Sequence, residues 1–158
     1  MSTTKSRAAS QAWESLFRAQ VDLRRRFEAD EVFDVISFQE YDVLFTLHTG
    51  PDTGMRLRDL NRDLLLHQSS LSRLVERLEA RRLVERCADE SDGRGTLIKL
   101  TEQGRRQQRA TALAHVRQIA AYVGEALSAE ELAQLYTLTA KLRAAQPDIA
   151  RVANTTTR

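Results

Sequence analysis

The stretch that decides the fold covers residues 69–100 and reads SSLSRLVERLEARRLVERCADESDGRGTLIKL. Its first part, residues 69–80, places leucine or valine at i, i+3, i+4 and i+7, which is the spacing of an amphipathic helix. The runs 83–87 and 96–100 are instead typical of strands, and the polar, glycine-bearing segment 88–95 separates them. The sequence therefore predicts a helix followed directly by a β-hairpin with a long tip.

A second helical pattern precedes this stretch. Residues 55–66 carry leucines at helical spacing, and a brief break near His67 separates them from the helix over residues 69–80. Two short helices joined by a turn of three or four residues form the helix-turn-helix layout. The hairpin then follows the second helix without any further element.

Helices are predicted on both sides of this central segment. On the amino-terminal side we predict a helix over residues 10–30 that Ser10 caps, and a second helix that begins with a capping box of Ser37 and Glu40. On the carboxyl-terminal side Thr101 caps a long helix that runs to residue 127, and a last helix begins at a Ser128 capping box and stops before residue 147. The predicted order is α-α-α-α-β-β-α-α.

Composition excludes several classes of protein. The chain has 158 residues, which is room for one domain together with a dimerisation element. The 24 basic and 22 acidic side chains leave a net charge of only +2, which excludes a polybasic mode of binding. The single cysteine excludes a disulfide scaffold within one chain. No long apolar run or secretory leader is present, so a cytoplasmic protein without a membrane span is expected.

Enzyme chemistry is not expected either. The sequence has no glycine-rich phosphate loop, no nucleophile elbow and no clustered histidines with acidic partners. The three histidines are far apart in the chain, so neither a metal site nor a cofactor is predicted. Of the 24 basic residues, 21 are arginine. Arginine carries a planar fork of donors that suits phosphates and guanine edges.

The chain resembles the MarR family of winged helix-turn-helix transcriptional regulators. Four pieces carry the resemblance: residues 71–79 match the recognition helix, residues 83–86 the strand into the wing, residues 92–95 the Asp-x-Arg wing tip, and residues 100–104 the Leu-Thr-x-x-Gly motif. It implies a mainly α fold with a small β-hairpin wing (α+β). We expect dimerisation and supporting helices over 10–48, the winged helix-turn-helix over 55–104, carboxyl-terminal dimerisation helices over 105–146, and flexible termini at 1–9 and 149–158.

Such a protein would bind double-stranded DNA, and the residues indicate how. A recognition helix needs small or hydrogen-bonding side chains near its start, so that the backbone approaches the base edges. One turn further along, Arg73 is placed to reach guanine or a phosphate. Another turn on, Arg77 is expected to meet the DNA backbone or an intramolecular acid. The predicted DNA contacts of this helix are Gln68, Ser69, Ser70, Ser72, Arg73 and Arg77.

The wing is predicted to make the remaining contact. Arg94 is expected to enter the minor groove, where narrow A·T stretches attract arginine. Asp92 and Gly93 are expected to shape the loop, since a carboxylate beside a phosphate is repelled. One position departs from the family pattern: Arg82 stands where a glycine usually precedes the first wing strand. Arginine adopts the left-handed conformation at a cost of roughly 1 kcal/mol, so the helix ends differently here or the strain is tolerated.

Dimerisation and an effector complete the prediction. A homodimer would present two recognition helices to successive major grooves, which predicts a pseudo-palindromic operator. The candidate interface residues are Leu113, Val116, Leu132, Leu135 and Leu138. The resemblance implies a repressor that a small anionic aromatic ligand releases. Trp13 and Asp42 resemble positions used by the urate-responsive branch, and the candidate pocket residues are Trp13, Phe17, Tyr41, Asp42 and Phe45.

Two alternatives stay open at this point. The first is a helical protein-interaction module that has the winged-helix shape but does not bind DNA. The second is a redox-responsive regulator that uses Cys87, although no second cysteine is present to resolve an oxidised thiol. The commoner explanation of Cys87 is a small residue that closes the first wing strand.

Overall fold

The computed structural model describes residues 3–64, 68–89 and 95–146, and most of them are helical. The α-helices are α1 (Thr3–Glu28), α2 (Phe38–Thr49), α3 (Leu57–Leu64), α4 (Gln68–Ala80), α5 (Glu102–Ile119) and α6 (Ala129–Ala144). The strands are β1 (Met55–Arg56), β2 (Val84–Ala88) and β3 (Thr96–Leu100). A 3₁₀ helix covers Glu31–Phe33, and a π-helical turn, Ala120–Gly124, follows α5.

The predicted hairpin is confirmed, and a third strand joins it. β2 and β3 pair antiparallel, with Val84 opposite Leu100. β1 pairs with the other edge of β3, with Met55 opposite Ile98, so the strand order is β1-β3-β2. The prediction that helix begins at Met55 is therefore wrong by two residues. Gly54 makes the pairing possible: it has φ +97°, and a Cβ there would lie 2.8 Å from the Ile98 carbonyl oxygen.

The first helix begins earlier than predicted. α1 extends back to Thr3, so Ser10 is not its N-cap, and residues 3–9 are helix rather than a flexible terminus. The Ser10 hydroxyl instead donates to the carbonyl of Ser6 at 3.1 Å, as a serine inside a helix does. Neither glycine nor proline interrupts residues 3–9, and Ala8 and Ala9 favour helix, so nothing stops the helix at Ser10.

Three predicted helix starts are confirmed by their caps. The Ser37 hydroxyl accepts from the Glu40 amide, and the Glu40 carboxylate accepts from the Ser37 amide. Ser128 and Glu131 form the same reciprocal pair. The Thr101 hydroxyl accepts from the Gly104 amide at 2.9 Å. Each cap satisfies backbone donors that the first turn of a helix otherwise leaves without a partner.

Arg82 adopts the left-handed conformation, with φ +58°. It ends α4 in a Schellman motif: the Leu83 amide donates to the Leu78 carbonyl at 2.9 Å, and the Arg82 amide donates to the Glu79 carbonyl at 2.8 Å. Leu78 and Leu83 are both buried and supply the apolar contact of the motif. Of the two alternatives that the sequence left open, the chain therefore tolerates the strain.

The start of α5 rests on this same corner. The Thr101 hydroxyl donates to the Arg82 carbonyl at 2.6 Å, and the Thr101 amide donates to the Leu83 carbonyl at 3.2 Å. A Cβ on Gly104 would lie 1.9 Å from the Leu83 carbonyl oxygen, so only glycine allows this approach. The Leu-Thr-x-x-Gly motif thus acts as a cap and a contact surface at once.

The core lies between α2, the two short helices and the sheet. Its most buried side chains, with at most 2% of their surface exposed, are Ile36, Val43, Leu44, Leu60, Leu71, Leu74, Val75, Leu78, Val84 and Ile98. This distribution explains the 3.6-residue spacing read from residues 69–80, since the apolar face of α4 packs entirely inward.

A cluster of aromatic rings joins the outer helices to this core. The His115 ring on α5 lies edge-on to Phe27, Phe33, Phe38 and Tyr41, at centroid distances of 4.8, 5.3, 5.8 and 5.5 Å respectively. These partners come from α1, the 3₁₀ helix and α2. Edge-to-face rings at such distances attract each other, so the cluster fixes α5 against the amino-terminal elements.

The predicted long helix after Thr101 ends earlier as an α-helix than residue 127. It changes to the π-helical turn at residue 120. Tyr122 lies in that turn, where its hydroxyl donates to Asp30 Oδ2 at 2.7 Å and its ring lies 3.8 Å from the Arg26 guanidinium. π-helical turns commonly interrupt α-helices at functional positions.

Candidate nucleic-acid interface

The two faces of α4 differ in polarity and in exposure to solvent. Leu71, Leu74, Val75 and Leu78 have between 0% and 2% of their surface exposed and hold the helix on the core. The opposite face carries short polar and basic side chains and is open to solvent. Ser70, Arg73, Glu76 and Arg77 are exposed, and Ser72 is half-buried.

Most of the predicted DNA contacts on α4 lie in the first two turns of the helix. Gln68 and Ser69 form the start of the helix, but their side chains lie outside the part of the chain that the structure describes. Ser70, Ser72 and Arg73 follow on the accessible side. A helix that begins with small polar residues can approach base edges closely.

The wing is described only at its base. Arg94, Asp92 and Gly93 lie outside the described residues, so their predicted roles stay predictions. At the base, the Asp89 amide donates to the Gly95 carbonyl at 2.9 Å and closes the hairpin. Asp89 itself is buried, and its carboxylate accepts from Nε and Nη2 of Arg56.

The Arg56–Asp89 pair is a feature that sequence reasoning missed. Asp89 falls in the polar segment 88–95 that separates the predicted strands, and Arg56 falls in the predicted helix over residues 55–66. The two residues are 33 positions apart, and only the pairing of β1 with β3 brings them together. A buried carboxylate with a two-donor arginine partner fixes the geometry of a loop more firmly than exposed charges do.

Arg77 and Arg81 both face an acid of α2. Arg77 Nε lies 3.8 Å from Glu40 Oε1, and Arg81 Nη1 lies 3.2 Å from Glu40 Oε2. Arg81 also donates from Nη2 to the Val35 carbonyl at 2.7 Å. An intramolecular acid, which the sequence left open as a partner of Arg77, is therefore present. It is Glu40, the acidic member of the capping box of α2.

The five candidate pocket residues form two separate groups within one chain. Trp13 and Phe17 stack on α1 with centroids 5.9 Å apart, and both are more than half exposed. Tyr41 and Phe45 pair on α2 at 6.1 Å. Burial raises the pKa of the Asp42 carboxyl between them, while Arg24 acts in the opposite direction. The groove beside Trp13 and Phe17 is otherwise lined by Ser10, Glu14, Arg18, Val21, Asp22 and Arg25.

Cys87 and groups that could hold a metal ion are the remaining candidate features. Cys87 is half-buried on β2, with Sγ 3.6 Å from the Leu97 carbonyl oxygen. Within residues 3–64, 68–89 and 95–146 no three histidine, cysteine or acidic side chains are grouped to hold a metal ion. No helix in those ranges is both long and apolar enough to cross a bilayer.

The chain is similar to known proteins in sequence and in fold. A family model described as the MarR family matches residues 36–95. AbsC, a MarR family transcriptional regulator from Streptomyces coelicolor, is 27% identical, with a TM-score of 0.73 over 91% of this chain and 97% of AbsC. Sco3205, a MarR family regulator from the same organism solved in complex with DNA, is 26% identical, with a TM-score of 0.74 over 87% and 88%.

A third relative was solved with its natural ligand bound. The transcriptional regulator PcaV from Streptomyces coelicolor, in complex with its natural ligand, is 26% identical, with a TM-score of 0.64 over 86% of this chain and 92% of PcaV. No curated protein matches the chain in sequence.

Helices α3 and α4 lie in tandem, and the hairpin that follows them pairs with β1. This arrangement defines a DNA-binding winged helix-turn-helix protein. The matched segment, residues 36–95, runs from α2 through β2 and ends just before β3, and the solved regulators share the fold over nearly the whole chain. The chain is therefore similar to the MarR family of transcriptional regulators, in sequence over residues 36–95 and in fold over most of its length.

Proposed function

We propose that the chain represses transcription as a homodimer on a pseudo-palindromic operator, and that a small anionic aromatic ligand releases it. The observation that carries the proposal is the polarity of α4, whose apolar face is buried while Ser70 and Arg73 lie toward solvent and Ser72 is half-buried. The fold, the family and the DNA complex of a 26% identical relative support it.

In this proposal the start of α4 contacts base edges. Serine hydroxyls serve as donor or acceptor for any base, glutamine pairs with adenine, and arginine pairs with guanine. We assign base contacts to Gln68, Ser69, Ser70, Ser72 and Arg73. Arg94 is proposed to enter the minor groove from a wing that Asp92 and Gly93 shape, on the base that Arg56 and Asp89 hold.

The homodimer is proposed from apolar surface that one chain leaves uncovered. α6 has no buried residue, and Leu113, Val116, Leu135 and Leu138 have between 41% and 65% of their surface exposed. Such surface is typical of an interface rather than of a monomer. We propose that the amino-terminal helices and residues 105–146 form the interface, which leaves residues 55–104 to bind DNA.

DNA binding is tested with a duplex enriched by this protein from a random pool, against an unrelated duplex. Arg73→Ala should weaken binding to the enriched duplex by about 1–3 kcal/mol, because a guanine contact is lost. Arg94→Ala should flatten the slope of log K against log salt by about one unit. Arg7→Ala, an exposed arginine near the start of α1, is the control and should change neither.

DNA binding by the wild-type protein decides whether the proposed function holds. If no duplex is enriched and binding lacks a negative salt slope, the DNA-binding function is overturned and the protein-interaction alternative is favoured. Reporter expression from a promoter that carries the enriched sequence should fall when the protein is present. A rise in expression would contradict repression.

The effector is proposed from the aromatic pair Trp13 and Phe17 and from Tyr41, Asp42 and Phe45. A dimer would bring a second copy of each group close to the first, and the relative PcaV was solved with its natural ligand. Thermal melts with urate and with salicylate test the ligand class. Binding should raise Tm, since a ligand that binds the native state stabilises it. No shift with either compound at saturation would contradict this part of the proposal.

A further inference from the structure

The Glu40 carboxylate is buried in a molecule whose other acidic side chains mostly face water. Its side chain has 9% of its surface exposed. Taking a carboxylate out of water is costly unless charge and hydrogen bonds compensate it. Here the compensation comes from the Ser37 amide at 2.9 Å and from the two arginines of the recognition-helix end.

The two arginines are held differently. Arg81 spans two acceptors, the Glu40 carboxylate and the Val35 carbonyl, so it retains a partner even without the Glu40 charge. Among the described residues, Glu40 is the one acid that pairs with Arg77, at 3.8 Å, and 58% of the Arg77 side chain is exposed. Arg77 is therefore the guanidinium that the Glu40 charge restrains and that a neutral residue at position 40 would release.

Arg77 lies on the accessible face of α4, one turn beyond Arg73. A released guanidinium there would be close to the phosphates on either side of a bound groove. Phosphate contacts raise affinity for every duplex alike, whereas base contacts distinguish sequences. An acid that restrains Arg77 therefore lowers indiscriminate binding without affecting the base contacts of the first two turns.

We propose that Glu40 is a specificity-determining positioning residue, which withholds Arg77 from the DNA backbone and fixes the end of α4 on α2 through Arg81. The inference rests on the proposed DNA-binding function. It assigns Arg77 to the intramolecular acid rather than to DNA. It also gives Glu40, the acidic member of the α2 capping box, a second role that the sequence does not reveal.

The test compares Glu40→Gln with the wild-type chain on the enriched duplex and on an unrelated duplex. Glutamine keeps an oxygen for the Ser37 amide but removes the charge. We expect tighter binding to the unrelated duplex, a smaller ratio between the two affinities, and a salt slope steeper by about 0.9. That slope corresponds to a further loss of roughly 3.5-fold between 50 and 200 mM salt for one added phosphate contact.

Two further variants separate positioning from mere stability. Arg77→Gln alone should leave the wild-type slope unchanged, and in the Glu40→Gln background it should restore that slope. Glu14→Gln is the matched control, because it removes the same charge and releases Arg18 on the exposed surface of α1. Loss of stability alone lowers the active fraction of protein and leaves the salt slope as it was.

Two outcomes would overturn the inference while the proposed function stands. One is sequence-selective wild-type binding together with an unchanged slope and selectivity in Glu40→Gln. The other is a slope flattened by one unit in Arg77→Gln alone, which would mean that Arg77 already contacts a phosphate. A wild-type chain without salt-dependent binding would overturn the proposed function, and this inference with it.

Discussion

Gly104 allows the first turn of α5 to lie directly on the carbonyl group of Leu83. A Cβ at position 104 would be 1.9 Å from that oxygen, and real Cβ contacts do not fall below 3.0 Å. Gly104→Ala therefore forces α5 away from the corner at the end of α4 by about 1 Å. The obstacle is backbone, so a change of side-chain rotamer cannot relieve it.

The expected loss of stability follows from the bonds that this movement stretches. The Thr101 amide and hydroxyl bond the Leu83 and Arg82 carbonyls at 3.2 and 2.6 Å, and a shift of that size breaks or badly strains both. Each such bond contributes about 1 kcal/mol net, and overpacking adds about 1–3 kcal/mol. Alanine returns about 1 kcal/mol through its better helix propensity. We expect the free energy of unfolding to fall by about 2–4 kcal/mol.

Thermal and urea unfolding, followed by circular dichroism, measure this loss. For a chain of this length 1 kcal/mol corresponds to about 2–4 °C, so Tm should fall by roughly 4–16 °C. Gly124→Ala is the matched control, because nothing lies within 4 Å of a Cβ at that position. It should leave Tm unchanged or raise it slightly. If Gly104→Ala is as stable as the wild type, or both variants lose equally, the steric reasoning is refuted.

Three further substitutions test local energetics through unfolding experiments. Arg82→Gly should stabilise the fold by up to about 1 kcal/mol, since glycine adopts φ +58° without strain, and a loss would contradict the assigned left-handed cap. Burial raises the folded-state pKa of Asp42, so the wild type loses stability as pH rises through the unfolded and then the folded pKa. Asp42→Asn should be the more stable protein at pH 7, and its advantage should vanish in acid. The hydrogen bond from Tyr122 lowers the pKa of Asp30, which adds stability that is lost as pH falls through the folded pKa. Tyr122→Phe should therefore be less stable at pH 7 and should approach the wild type in acid, whereas a constant difference would exclude the carboxylate as the cause.

Local patterns in the sequence predicted much of the fold. The apolar spacing of residues 69–80 predicted a helix with one buried face, and the caps at Ser37, Thr101 and Ser128 marked three helix starts correctly. These features succeed because a cap or an amphipathic face is decided by residues within one or two turns. Arg82 was singled out through the family resemblance, which left open whether the helix ends differently there or the strain is tolerated; its φ of +58° shows the second.

The errors arose where distant residues decide. β1 is only two residues long, and without its partner β3 the segment reads as the start of a helix. The early start of α1 was missed because good helix formers on both sides of Ser10 give no signal for where the helix begins. The π-helical turn was missed because its residue Tyr122 contacts Asp30, which is 92 residues away in the chain. Propensity alone does not resolve such cases.

The candidate site divides in the same way. By itself the sequence determined that a helix with a serine-rich polar face, which also carries Arg73 and Arg77, precedes a wing. Residue type and local spacing define the helix as well as the wing. Only the tertiary structure decided that Glu40 faces Arg77 and Arg81, and that Arg56 holds Asp89 at the base of the wing. The physical reason is burial. An acid becomes a strong partner for a particular arginine when the fold excludes water around it, and packing of distant elements decides which acids are so placed.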